Sequence, residues 1–279
     1  PMDDLGGRPE ILNAGPAEVR SVDISLGQNL IAAGLDDGDI LLWELNALED
    51  DPTVVESHTD IVNAVTFSAN AELLASASDD QTVKIWTTGD LEADPLVFDQ
   101  YDSPMWAAAF SPDGNRFAFG GKTPAFMVEL ADLSKEPIVW DVLDGPVTAL
   151  AFSADGSQFA AGSLSSKAMI VDLAGGPVAQ PRILEGHIEP VRSITFSPDG
   201  NQVVTGSDDR DILMWSAEPS VFTRILYGHT DTSHSVDFAP NGSTIVSAGF
   251  DGTVRLWDGN DRSSEHRVLL HGEIGRAHV

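Results

Sequence analysis

Six stretches of the chain repeat one another at a nearly constant interval, and that period restricts the fold more than any other feature. Aligned on the last apolar residue of a short run, the copies superpose Ile24, Phe67, Phe110, Phe152, Phe196 and Phe238, spaced by 43, 43, 42, 44 and 42 residues. A period of this length marks an array, in which no unit buries its apolar face alone and each stacks on its neighbours. The unit is plainest from Gly228 to Asp258. Thr232 to Phe238 reads as a strand, and Ala239-Pro240-Asn241-Gly242 supplies a tight turn, Pro presetting φ and Gly taking the φ > 0 position. Ser243 to Ala248 is a second strand. Gly249-Phe250-Asp251-Gly252 turns the chain again, and Thr253 to Trp257 alternates with a strand's period of two.

In the sibling copies the first turn is Ser25-Leu26-Gly27-Gln28, Ser68-Ala69-Asn70-Ala71, Ser111-Pro112-Asp113-Gly114, Ser153-Ala154-Asp155-Gly156 and Ser197-Pro198-Asp199-Gly200. The third strand is expected to end nineteen residues after each anchor, at Trp43, Trp86, Glu129, Val171, Trp215 and Trp257. Variable linkers, of which Leu48-Glu49-Asp50-Asp51-Pro52 and Leu91-Glu92-Ala93-Asp94-Pro95 are acidic and end in Pro, then lead to short outer strands at Thr53 to Val55, Leu96 to Phe98, Ile138 to Trp140, Arg182 to Leu184 and Thr223 to Leu226.

A Gly-His opening, a tight hairpin and a Trp-Asp close about thirty residues later resemble the WD-repeat family of β-propellers. The resemblance implies an all-β propeller of four-stranded antiparallel blades, a single domain over residues 1–279 that reads as an excerpt of a longer chain. Its repeats run over about 15–57, 58–100, 101–142, 143–186, 187–228 and 229–270, with a further one begun at 271–279. Residues 1–14 match a linker plus an outer strand, Glu10 to Leu12. His266 to Leu270 matches another, and Gly272 to Val279 matches the start of a first strand. Six inner triplets thus accompany seven outer strands, which favours a seven-bladed ring with inner strands beyond residue 279 over a six-bladed closure.

A chain of 279 residues without cysteine has no disulfide framework, zinc finger or thiol nucleophile. Its net charge of −29 repels phosphate backbones and anionic bilayers, which argues against direct nucleic-acid binding. No apolar run is long enough to span a membrane and no signal peptide is visible, so a cytoplasmic location is expected. Neither a P-loop nor a dinucleotide-binding glycine pattern is present, and no cofactor is expected. The acidic runs Asp36-Asp37-Gly38-Asp39 and Asp208-Asp209-Arg210-Asp211 lack the alternate carboxylates and twelfth-position Glu of a calcium loop, so no metal site is expected. Asn241-Gly242-Ser243 fits the glycosylation pattern, but the turn already accounts for it.

Three copies share a polar set: His58, Ser76, Asp80 and Trp86; His187, Thr205, Asp209 and Trp215; His229, Ser247, Asp251 and Trp257. An Asp-oriented imidazole beside a hydroxyl invites a hydrolase reading. Repetition argues against it, since one triad suffices for an enzyme, and the resemblance implies buried structural tetrads with no catalytic residue. The first copy keeps Asp37 and Trp43 but has Gly15 and Ala33. The third has Tyr101, Phe119, Thr123 and Glu129, and the fourth Leu143, Ala161, Ser165 and Val171.

Function is sought where the copies differ. The resemblance implies that residues entering each first strand line the narrow top face where partners bind. Four residues before the anchors stand Arg20, Asn63, Trp106, Thr148, Arg192 and His234, and two earlier Glu18, Ile61, Pro104, Pro146, Pro190 and Thr232. Arg20, Arg192, Trp106 and His234 would form a basic and aromatic patch suited to an acidic or phosphorylated protein or peptide. In the competing reading the arginines pair with nearby carboxylates and Trp106 fills a blade lacking its tetrad. The expected role is a non-catalytic interaction scaffold. The alternatives are a regulatory or sensor domain of a larger signalling protein, such as a nucleotide-dependent switch or a kinase, and a structural subunit of a multi-subunit assembly.

Overall fold

A computed structural model describes residues 11–122, 124–174, 180–217, 222–259 and 266–271. These residues form six four-stranded antiparallel sheets and no helix. The first sheet runs Val19–Ser25, Leu30–Leu35, Asp39–Glu44, Thr53–Glu56, and the second Val62–Phe67, Leu73–Ser78, Val83–Thr87, Leu96–Phe98. The third is Met105–Phe110, Arg116–Gly121, Ala125–Glu129, Ile138–Trp140, and the fourth Val147–Phe152, Gln158–Ser163, Lys167–Asp172, Arg182–Glu185. The fifth is Val191–Phe196, Gln202–Ser207, Ile212–Ser216, Phe222–Leu226, and the sixth Ser233–Phe238, Thr244–Gly249, Thr253–Asp258, His266–His271. Strands follow one another across each sheet in chain order, and the inner strand of each sheet touches the inner strand of the next.

The turns explain why each segment folds back where it does. Ser111, Ser153 and Ser197 donate their hydroxyls to Asp113, Asp155 and Asp199 at 2.5–2.6 Å, and Gly114, Gly156, Gly200 and Gly242 adopt φ of 69–71°. L-residues with a side chain enter that region at a steric cost, so Gly closes the turn.

Packing follows from the second strands, which are covered on both faces and therefore read as small or apolar runs. Leu74, Ala75, Ser76, Ala77 and Ser78 are all buried. A Cβ on Gly34 or Gly162 would stand 2.7 Å from Val62 or Val191 of the next sheet, so glycine there permits the close approach. Ala32, Ile40 and Leu42 of the first sheet then meet Val62, Val65, Phe67, Leu74 and Trp86 of the second in one apolar cluster.

Two expectations change. In the third sheet Phe117 lies opposite Val128, the register in which Leu74 faces Trp86 and Val203 faces Trp215. Val128, and not Glu129, therefore takes the tryptophan position, one residue earlier than the constant offset predicts, because the preceding connection is shorter. Of the expected strand Glu10 to Leu12, residues 11 and 12 are not in a strand and residue 10 lies outside the described residues, as do Thr123 and Gly272 to Val279.

Candidate functional site

Each inner strand carries an irregularity at the same place. Val19 pairs with Leu35 and Ser21 with Gly34, which leaves Arg20 as an extra residue on the inner strand. The skip recurs between Val62 and Ala64, Met105 and Ala107, Val147 and Ala149, Val191 and Ser193, and Ser233 and Ser235. Arg20, Asn63, Trp106, Thr148, Arg192 and His234 are thus the six bulged residues. A bulge inserts one unpaired residue and re-aims its side chain out of the in-out alternation of the strand. Beside each bulge, the residue two earlier accepts a backbone hydrogen bond from the second turn: Glu18 from Asp36, Ile61 from Asp79, Pro104 from Lys122, Pro146 from Leu164, Pro190 from Asp208 and Thr232 from Phe250. The turn residue twelve positions after each anchor is therefore the bulge's neighbour. That position recurs at a constant offset, so its link to the bulge is marked in the sequence.

The six bulged side chains have different fates. Asn63 donates to Asp79 at 2.7 Å and to the Met105 carbonyl of the next sheet at 3.1 Å, and the Trp106 indole donates to the same Asp79 at 3.1 Å. Thr148 donates to the Val191 carbonyl at 2.6 Å. These three tie neighbouring sheets together. Arg192 is held by Asp208 through two bonds of 2.8 and 2.5 Å. The His234 ring stacks on Phe250 with centroids 4.9 Å apart and planes at 19°. The residue is exposed overall, yet partial burial of the imidazole lowers its pKa, and the charges of Arg192 and Arg20 add to this against that of Asp208. Arg20 is exposed and has no hydrogen bond or ion pair among the described residues. The charges of Arg192, Asp208 and Arg20 thus all act on the His234 ring, on which Phe250 stacks, whereas Asn63, Trp106 and Thr148 are drawn into the frame.

The polar sets assemble below this surface. His58 Nδ1 donates to Asp80 at 2.8 Å and Nε2 meets Ser76 Oγ at 2.5 Å; His187 makes the matching bonds to Asp209 and Thr205, both 2.8 Å, and His229 to Asp251 and Ser247 at 3.0 and 2.7 Å. The Trp215 indole donates to Thr205 at 3.0 Å and Trp257 to Ser247 at 2.8 Å, whereas Trp86 meets the His58 ring edge-on at 6.1 Å. Because a carboxylate only accepts, the network assigns the proton to Nδ1 and leaves Nε2 to accept from the hydroxyl. Thr82 and Thr253 extend two of the sets, donating to Asp80 and Asp251 at 2.7 and 2.6 Å. Burial opposes ionisation of Asp80, Asp209 and Asp251, but the hydrogen bonds from histidine and backbone amides, joined by threonine at Asp80 and Asp251, outweigh it and hold all three below the ordinary carboxylate range. Ser76, Thr205 and Ser247 are 0–1 % exposed.

The third sheet fills the same positions with rings. Tyr101 lies 5.2 Å from Phe119 and 4.4 Å from Phe126, with Phe119 and Phe126 5.4 Å apart. Of the acidic runs, Asp208 is bonded to Arg192 and Asp209 to His187, and no group of three or more metal-binding side chains gathers among the described residues. No helix among them is long and apolar enough to cross a membrane.

A stretch of 50 residues is 42 % identical to the WD repeat-containing protein SL1-17 of Schistosoma mansoni, spanning 18 % of this chain and 16 % of that relative. The family model described as WD domain, G-beta repeat matches residues 51–87, 139–172, 179–216 and 220–258, each segment joining an outer strand to the three inner strands of the next sheet. These segments cover just over half of the chain, and with six consecutive four-stranded sheets they make it a member of the WD-repeat family.

Proposed function

We propose that the chain is a non-catalytic platform that binds an acidic or phosphorylated peptide segment of a protein partner across the bulged ends of its inner strands. WD repeats generally mediate protein–protein interaction, and the bulged residues support a contact at this end of the inner strands. The observation that carries the reading is the divergence of the six bulged side chains on an otherwise repeated frame. Asn63, Trp106 and Thr148 are engaged in bonds between neighbouring sheets, so the divergence that a recognition surface would use lies at Arg20, Arg192 and His234.

Arg20 supports an anionic partner most directly. It is an exposed guanidinium without a partner among the described residues, on a chain of net charge −29. Arg192 is already engaged by Asp208, so it orients the surface and contributes less free charge. Phe250, stacked on His234 and 67 % exposed, offers an apolar anchor beside the cation. The polar sets act as structural pins, since each hydroxyl is buried and two of the three already accept an indole N–H, which leaves no approach for an acyl group.

Fluorescence anisotropy with a glutamate- and phosphoserine-rich peptide tests the reading. Arg20→Glu should weaken binding at least tenfold and Phe250→Ala severalfold, with a steep loss of affinity in salt. Equal affinity for Arg20→Glu and the parent chain would remove the proposal.

A further inference from the structure

The outer strands, each with a single neighbour in its sheet, differ in what stands on their free edges. Arg182 and Arg224 hold the same position in the fourth and fifth outer strands, opposite Ile170 and Met214. Arg182 donates to the Ser216 and Ala217 carbonyls, and Arg224 to the Asp258 carbonyl at 3.1 Å, so each fastens its strand to the next sheet. The residues that follow them, Ile183 and Ile225, are half-buried. A cation on an outer strand also discourages pairing with a further chain. In the second sheet the same two places hold Leu96, opposite Ile85, and Val97, which are 37 and 41 % exposed. Lys84 lies opposite Val97 but directs its ammonium to the Ser57 carbonyl. The second sheet is flanked by the first and the third, so this exposure belongs to the edge itself.

Charge narrows what fits there. Residues 15–100 carry 18 of the 44 acidic residues and 2 of the 15 basic ones, so the field of the chain is concentrated on its first two sheets. Between Lys84 and Arg116 there is no basic residue; Asp90, Glu92 and Asp94 precede the outer strand Leu96–Phe98, and Asp99 follows it. All four carboxylates are exposed and make no ion pair or side-chain hydrogen bond among the described residues. In the third sheet, by contrast, Lys135 pairs with Glu129 and Asp132 ahead of the outer strand. We propose that the outer edge of the second sheet takes an extended, lysine- or arginine-rich segment of a protein partner as a fifth strand, at a site separate from the bulged ends of the inner strands.

Each part of the edge specifies a part of that segment. Its backbone pairs with the unpaired groups of Leu96–Phe98, which supplies affinity without regard to side chains. A branched aliphatic residue opposite Val97 covers exposed apolar surface, and cations at the two ends of the segment meet Asp94 and Asp99. The same field that attracts such a segment repels a second copy of the chain, which carries a charge of −29, and any nucleic acid.

The probe is the acetylated and amidated peptide Lys-Val-Lys-Val-Lys-Val-Lys. In calorimetry against the whole chain it should bind one to one, lose affinity steeply with salt and slow amide exchange over Leu96–Phe98. Asp94→Lys combined with Asp99→Lys should weaken binding at least tenfold and Val97→Lys severalfold, without unfolding the chain, because all three side chains are exposed. Asp50→Lys combined with Asp51→Lys, an equal change of charge on the linker of the first sheet, should weaken it less than threefold. Equal losses from the two pairs would overturn the proposal, since the chain would then bind cations through its overall charge. Equal binding of the probe N-methylated at alternate residues would overturn it as well, because that peptide cannot complete a strand. So would failure of the probe to bind, or exchange protection confined to the bulged ends.

Discussion

The sixth and third sheets solve one problem with opposite chemistry. In the sixth, His229, Ser247, Asp251 and Trp257 link the loop before the inner strand to the second and third strands through directional bonds of 2.7–3.0 Å. In the third, Tyr101 and Phe119 stand at the places of that histidine and serine and pack with Phe126 at centroid distances of 4.4–5.4 Å. Both fill the junction, but a polar chain is satisfied in only one register and is costly when half made, whereas stacked rings gain from area and tolerate small shifts. The blade can be pinned either way, which teaches that the repeat demands a filled junction rather than a particular residue set.

The largest break in this comparison is Phe119→Ala, which empties a fully buried ring site and should cost about 3–5 kcal/mol in denaturant unfolding. Ser247→Ala should cost about 1–3 kcal/mol, because it leaves His229 Nε2 and the Trp257 indole facing a methyl group. Double-mutant cycles sharpen the contrast. The His229–Ser247 pair should show coupling of about 1–3 kcal/mol, and the Tyr101–Phe119 pair about 0.5–1.5 kcal/mol.

The two junctions should also fail at opposite ends of the pH scale. Asp80, Asp209 and Asp251 have native pKa values below the unfolded carboxylate value of about 3.9. Their contribution is complete above that value and is lost as pH falls through the native ones, so Asp251→Asn should flatten the acid limb of a stability titration. Burial raises the Tyr101 pKa, assisted by Glu136 and opposed by a bond from Gln100. A neutral phenol favoured by the fold stabilises below its unfolded pKa of about 10 and loses that contribution as pH rises through the native value. Tyr101→Phe should therefore remove part of the alkaline limb. The smallest effect tests the shared turn: Gly156→Ala, at φ 69° with only Pro112 nearby, should cost about 1 kcal/mol.

Much of this architecture is legible in the residues. The six anchors, the Ser-Pro-Asp-Gly turns and the three polar sets stand at constant offsets, because hydrogen-bond geometry and turn conformation select particular side chains at particular places. Glu129 stands outside the tryptophan register for the converse reason. A connection one residue shorter moves Val128 into it, and only the pairing with Phe117 reveals the slip. The competing readings of the arginines divide as well: Arg192 finds a carboxylate, and Arg20 finds none among the described residues.

The sequence by itself determined the repeat period, the strands within most repeats and which side chains could form a buried network, since these depend on local spacing and on residue chemistry. Tertiary structure alone decided that Arg20, Asn63, Trp106, Thr148, Arg192 and His234 are bulged out of their strands, because a bulge is a property of two paired strands and leaves no mark on either one. It also decided that Val19, Val22 and Ile24 face solvent. Their residue types match those of their buried counterparts, and exposure depends on whether another sheet lies against them.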